Sequence, residues 1–313
     1  MTQQSVLQKK LVGVFTALVT PFSDSGAIDW VALDRLLELQ LHAGVDGLVV
    51  LGTTGEASTL NASESSEMIE HVRKRVGSQI CLLAGTGSNN TAMAIEKTRR
   101  AVDLGVDGVL LVSPYYNRPS QDGLLKHFSS VAAATSAGIV LYNIPGRCGV
   151  DISPETVAQL AKDHTNIVGI KEACGSPARV SELRLQAPEG FAIHCGDDEL
   201  APAFYAHGAV GLTSVLSNIE PAICMAIHRA FLRGNWSDLL AMHECAQPLI
   251  KSLFCDSNPG PIKYLLSKIG ISQPHLRLPL VVPSPIAQIY LKSVWAAYLS
   301  QRSLLKISTS PRS

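Results

Sequence analysis

The chain has 313 residues, 46% hydrophobic and 17% charged, long enough for one large core or for two ordinary domains. Its 26 basic and 26 acidic side chains cancel, which argues against the electrostatic footprint of a nucleic-acid or anionic-membrane binder and leaves small molecules as the expected partners. Seven cysteines (Cys81, Cys148, Cys174, Cys195, Cys224, Cys245, Cys255) are odd in number and form no CxxC, so they read as reduced core thiols rather than a disulfide framework or a zinc site.

Residues Met1 to Lys10 are polar and carry no apolar signal-peptide core, and no apolar run reaches the ~18 residues that span a bilayer. A soluble, cytoplasmic protein is expected. From Gly13 onward, short apolar runs alternate with helical patterns. The candidate strands are Gly13–Phe22, Gly47–Glu56, Gln79–Gly87, Gly108–Tyr116, Gly138–Pro145, Ile167–Ala173, Phe191–Asp198 and Gly211–Asn218. Between them, apolar residues recur at helical spacing, as in Trp30, Leu33, Leu36, Leu37 and Leu41, and Ser153-Pro154-Glu155 supplies a cap, a first-position proline and a first-turn acid.

Runs such as Leu48–Leu51 and Val109–Val112 are apolar on both faces, as parallel strands buried under helices must be. Eight successive βα units predict an α/β fold, a closed (β/α)8 TIM barrel; a doubly wound open sheet is the alternative, because periodicity does not report closure. After Asn218 the strand signal stops. A helix near Glu220–Leu232 completes the eighth unit, and Asp238–Phe254, Pro261–Lys268 and Pro285–Ser300 predict further helices. The expected organisation is a barrel over 11–234, a C-terminal helical extension packed on it over 235–300, and a flexible tail over 301–313.

Barrel enzymes carry their reacting groups at the carboxyl ends of the strands. Lys171 stands there, at the end of the apolar run Ile167–Ile170. Desolvation would disfavour its charge and leave an amine able to condense with a ketone; the alternative is a lysine snorkelling outward or paired with Glu172. Tyr142 and Tyr116 end two other strands, and Thr53 and Thr54 offer hydroxyls, so a Tyr–Thr–Tyr proton relay competes with simple rim packing. Arg147, after Pro145-Gly146, is suited to bidentate carboxylate capture or is a solvated loop arginine. Gly52–Gly55 and Gly85–Gly87 could cradle phosphate, but neither continues as a P-loop. His194, Asp197, Asp198 and Glu199 read as a helix cap rather than a metal site, and no metal is expected.

Taken together and in order, Gly52-Thr53-Thr54-Gly55-Glu56, Ala84-Gly85-Thr86-Gly87, Ser113-Pro114-Tyr115-Tyr116-Asn117-Arg118-Pro119, Tyr142-Asn143-Ile144-Pro145-Gly146-Arg147, Gly169-Ile170-Lys171-Glu172-Ala173 and Gly196-Asp197-Asp198 give the chain a clear resemblance over residues 11–300. It resembles the dihydrodipicolinate synthase family, within the pyruvate-dependent aldolase and N-acetylneuraminate lyase superfamily. The resemblance implies a lyase that condenses pyruvate with L-aspartate 4-semialdehyde on the way to diaminopimelate and lysine. It implies a covalent Schiff base on Lys171 and no cofactor, with Tyr142 as proton donor and acceptor and Thr53 linking it to Tyr116, which in the family reaches across a dimer contact. Thr54, Gly196 and Thr213 would line the pyruvate site, Arg147 would hold the semialdehyde carboxylate, and the assembly would be a homotetramer.

Asn89, Tyr115, Ala57 and Ser58 fall at the family's allosteric positions. Lysine-inhibited relatives carry a histidine and a glutamate where this chain has Ala62 and Met93, so weak or absent inhibition by L-lysine is expected. Thr213 replaces an aliphatic residue common in the family. N-acetylneuraminate lyases typically read Gly-Ser-Thr-Gly-Glu in the second-strand loop and lack the arginine at 147; they and 2-keto-3-deoxy sugar-acid aldolases are the enzyme alternatives. A non-catalytic pyruvate or amino-acid binding paralogue is the alternative of another class.

Overall fold

A computed structural model of the protein describes residues 3–305, with side chains from Leu7 onward. Eight parallel strands, β1 (Gly13–Ala17), β2 (Gly47–Val50), β3 (Cys81–Gly85), β4 (Gly108–Val112), β5 (Gly138–Asn143), β6 (Ile167–Glu172), β7 (Ala192–Cys195) and β8 (Gly211–Ser214), pair in sequence order. β8 closes on β1, with Gly13 opposite Gly211, so the fold is the (β/α)8 barrel and not the open sheet.

The strands stop short of the apolar runs that announce them: β1 ends at Ala17 instead of Phe22, β2 at Val50 instead of Glu56, and β4 at Val112 instead of Tyr116. The excess residues are mouth loops, in which Leu18, Val19, Phe22 and Leu51 are as buried as strand residues while Tyr115 and Tyr116 are exposed.

Helices α1 (Gln3–Lys10), α2 (Trp30–Ala43), α3 (Ala62–Val76), α4 (Thr91–Asp103), α5 (Gln121–Ala133), α6 (Pro145–Cys148), α7 (Pro154–Asp163), α8 (Ala178–Gln186), α9 (Ala201–Ala206) and α10 (Pro221–Leu232) precede or follow the strands. Their starts are chemically specified. Asn61 and Glu64 form a reciprocal capping box on α3, and Ser153 caps α7, with Pro154 at its first position. Three more helices, α11 (Trp236–Ser252), α12 (Gly260–Lys268) and α13 (Pro285–Arg302), complete the described chain. The first two residues of the expected tail lie inside α13, and residues 306–313 lie outside the described residues. Among the described residues, no helix is long and apolar enough to cross a membrane.

Two apolar layers result. One fills the space between strands and helices; the other fills the barrel with Phe15, Val49, Leu83, Leu110, Val140 and Val168. α1, unforeseen in the sequence, closes the barrel floor with Leu7, joined by Leu11 just after the helix. A Cβ at Gly138 would stand 2.1 Å from Leu7 Cδ2, so the glycine opening β5 makes room for this plug. The cysteines are all free, but only Cys81, Cys148, Cys195 and Cys224 are core thiols; Cys174 and Cys245 are half-buried and Cys255 is exposed.

Candidate active site

Side chains alternate along a strand, so Lys171 and Glu172 at the end of β6 face opposite ways. Glu172 points outward and is buried, accepting from Asn143 Nδ2 at 3.0 and 3.1 Å and from Cys174 N at 2.8 Å; burial raises its pKa despite these bonds. Its hydrogen bonds are thus spent away from Lys171, which removes the ion-pair reading. Lys171 points into the barrel mouth and is 7% exposed, and its Nζ lies 4.3 Å from the ring centroid of Tyr142, its register partner on β5. Among the described residues, the Lys171 amine makes no hydrogen bond or ion pair.

Gly196 follows β7, and its N–H donates to Glu172 O at 2.8 Å. A Cβ there would come 3.0 Å from Lys171 Cε, so glycine is needed for the lysine stem to pass. His194, opposite Lys171 on β7, occupies the barrel interior, and a Cβ on Gly211 would meet its ring at 2.6 Å. His194 Nε2 donates to Leu11 O at 2.6 Å, which fixes Nδ1 as the acceptor of the Thr213 hydroxyl at 3.1 Å. Burial drives the His194 pKa down to about 4, opposed by the Leu11 bond and aided by His228 and Lys171.

Thr53 and Thr54 lie in the loop after β2, Thr53 exposed and Thr54 buried. Glycines let this loop close in: a Cβ on Gly85 would stand 2.1 Å from Leu51 O, and one on Gly55 3.1 Å from Leu18 O. Close packing explains both glycine-rich segments without a phosphate. The non-glycine residues with positive φ among the described residues, Leu51, Glu56, Tyr116 and Arg118, all lie in the loops after β2 and β4, which carry Thr53, Thr54 and Tyr116. Such strain of order 1–3 kcal/mol per residue concentrates where position matters.

Tyr116 is 89% exposed, and within the described chain the hydroxyls of Tyr116, Thr53 and Tyr142 make no hydrogen bond to one another. The loop is nonetheless tied down, by Asn117 Nδ2 to Asn89 O at 2.9 Å and by Arg118 Nε to Gly149 O at 2.8 Å. Arg147 lies in α6 with an exposed side chain. Asp197 caps the short helix Asp198–Leu200, and buried Asp198 accepts from Ser214 Oγ, Val215 N and Leu216 N, so the acidic cluster is structural.

The dihydrodipicolinate synthetase family matches residues 10–294. The chain belongs to this family. A Bartonella quintana protein named 4-hydroxy-tetrahydrodipicolinate synthase is 40% identical over 296 residues, 95% of this chain and 99% of its own length. The structure of the 4-hydroxy-tetrahydrodipicolinate synthase from Methylacidiphilum fumariolicum superposes with a TM-score of 0.92 at 46% identity, covering 94% of this chain and 97% of that one. A protein described as a monomeric dihydrodipicolinate synthase variant superposes at 0.90 with 36% identity, covering 93% and 98%.

Within this dihydrodipicolinate synthetase fold, Ala57, Ala62 and Met93 line a cavity of about 270 Å³ between the β2–α3 loop and α4, together with Leu60 and Ile69. Met93 and Tyr115 are about two-fifths exposed, Ser58 is exposed and Asn89 half-buried. Sequence reasoning missed three residues behind the site. Asn258 Nδ2 donates to Thr54 Oγ1 at 3.0 Å, Lys263 Nζ pairs with Glu56 at 2.5 Å with both side chains fully buried, and the Arg277 N–H donates to Glu56 at 3.1 Å. Their only signal was an apolar-flanked Lys263, masked by its place in a helical pattern.

Proposed function

We propose that the chain is a 4-hydroxy-tetrahydrodipicolinate synthase, condensing pyruvate with L-aspartate 4-semialdehyde through a Schiff base on Lys171. The observation that carries this reading is the unpaired amine of Lys171 over the Tyr142 ring in a barrel mouth whose strand ends match the family. Lys171 Nζ attacks the pyruvate ketone carbon, water leaves, and the resulting iminium draws electrons from the methyl carbon. Tyr142 takes a methyl proton as its own phenolic proton passes to the Thr53–Tyr116 relay, giving an enamine whose carbon attacks the aldehyde; ring closure by the semialdehyde's own amine then displaces Lys171. The iminium is the electron sink, so this chemistry calls for no metal or external cofactor.

Thr54 is assigned to the pyruvate carboxylate, with Gly196 and Thr213 shaping the pocket, and Arg147 to the semialdehyde carboxylate. Thr53 and Tyr116 complete the proton relay once a second copy of the chain supplies Tyr116. An exposed aromatic tip on a loop anchored from both sides supports that assignment. The assembly would be a homotetramer acting in the cytoplasm. An assay of pyruvate consumption with L-aspartate 4-semialdehyde, set beside N-acetylneuraminate cleavage, tests the reading: turnover with the semialdehyde and none with the sialic acid is expected, and the reverse overturns it.

A further inference from the structure

We infer that Asn258, in the segment between α11 and α12, is a positioning residue that sets the direction of the Thr54 hydroxyl, making it a hydrogen-bond donor to the substrate carboxylate. This rests on the proposed role of Thr54.

A threonine hydroxyl can donate one hydrogen bond and accept others, and which it does toward a ligand depends on what holds it from behind. Here Asn258 Nδ2 reaches Thr54 Oγ1 at 3.0 Å, with Thr54 4% and Asn258 6% exposed, so the contact is shielded from water. The amide nitrogen has hydrogens only to give. The Thr54 oxygen therefore accepts from Asn258, and its own hydrogen is left for an anion in the barrel mouth. A carboxylate is acceptor-only, so this is the polarity that the substrate requires. The opposite arrangement, Asn258 Oδ1 accepting from Thr54, would strand both amide hydrogens in a buried site, whereas this one leaves one hydrogen and the carbonyl unmatched, and a buried carbonyl without a partner is better tolerated than a second buried N–H. The observed arrangement leaves Asn258 Oδ1 buried with no partner among the described residues.

The backbone around Thr54 is fixed by the same part of the chain. Glu56, two residues on, receives Lys263 Nζ from α12 and the N–H of Arg277, while Lys263 Nζ and Arg277 Cζ lie 4.2 and 4.4 Å from the Phe22 ring centroid. Thr20 Oγ1 holds Gly55 O at 2.7 Å from beneath. The segment after the barrel thereby sets both the position and the polarity of a barrel-mouth hydroxyl.

Pyruvate kinetics of three variants of the full chain test this. N258D keeps the shape but presents an oxygen that turns the Thr54 hydrogen inward, so the pyruvate KM should rise at least about tenfold with the semialdehyde KM within about twofold of wild type. N258A, which removes the donor without reversing it, should raise the pyruvate KM by a smaller factor, an order that a merely space-filling role would invert. A wild-type pyruvate KM in N258D, or N258A worse than N258D, overturns the inference; if N258D does not fold, an unchanged pyruvate KM in N258A overturns it and a rise of several-fold at little-changed kcat supports it. T54V separates the two readings: a raised pyruvate KM in T54V beside an unaffected N258D refutes Asn258 alone, whereas an unaffected T54V refutes the role of Thr54 and the inference with it.

Discussion

Tyr142 and Lys171 are register partners on adjacent strands, and the lysine amine stands 4.3 Å from the centroid of the tyrosine ring. A phenol placed this way borders the carbon atoms of anything that Lys171 holds. The ring itself is packed into the barrel core, 5% exposed, so its hydroxyl is aimed by the fold and not by the ligand.

Tyr142→Phe should therefore keep the packing and lose the proton transfer. We expect kcat to fall by about 10²–10⁴, the usual worth of a positioned acid or base, with the fold unchanged by circular dichroism. A kcat within a few-fold of wild type would remove Tyr142 from the mechanism.

The Lys263–Glu56 pair is buried on both sides, and burial pulls the Lys263 pKa down to about 8 against the attraction of Glu56. Lys263→Met strands the Glu56 carboxylate, which should cost about 3–5 kcal/mol in urea unfolding. The pyruvate KM should rise in parallel, because the strained Thr53–Glu56 loop loses its anchor. A loss below about 1 kcal/mol would show that Glu56 finds compensation elsewhere.

Much of the fold was written plainly. Eight apolar runs ending in polar motifs specify the strands and their order, and Lys171, Tyr142 and Thr54 are readable because each ends such a run. Strand lengths were overread because Leu18, Val19 and Leu51 are as buried in mouth loops as in a sheet. α1 was missed because Leu7 and the Leu11 that follows the helix sit in an otherwise polar segment; burial of these residues against a glycine-lined floor is a tertiary fact. Asn258 and Lys263 were invisible for a related reason, since their partners lie more than 200 residues away. The exposure of Cys255 and the lack of any intrachain link from Tyr116 to Tyr142 likewise cannot be read from neighbours in sequence.

His194 gives a pH signature. Its pKa in the folded chain is held near 4 by burial, against about 6.5 when unfolded. Between those values the unfolded chain binds the extra proton, so the stability due to neutral His194 is complete above pH ~6.5 and is lost as pH falls toward 4, up to roughly 3 kcal/mol. His194→Leu should remove this dependence, so the variant gains on wild type as the solution is acidified from pH 7 to 4.5. A stability difference independent of pH would show that His194 is not buried neutral.

At the cavity beside α4, Met93 and Ala62 supply no charge for an ammonium, and the lining carboxylate of Glu96 is paired with Arg100 at 3.0 Å. Initial rates should be insensitive to L-lysine at sub-millimolar concentration. Substitution of glutamate at Met93 and histidine at Ala62 should create inhibition. Strong inhibition of the unaltered chain would contradict the assignment.

The most direct test concerns Lys171 itself. After incubation with pyruvate and borohydride, peptide mass spectrometry should find a reduced three-carbon adduct on Lys171, and Lys171→Ala should neither trap pyruvate nor consume it with the semialdehyde at more than about 10⁻³ of the wild-type rate. An adduct on another lysine, or pyruvate turnover retained in Lys171→Ala, would contradict the account.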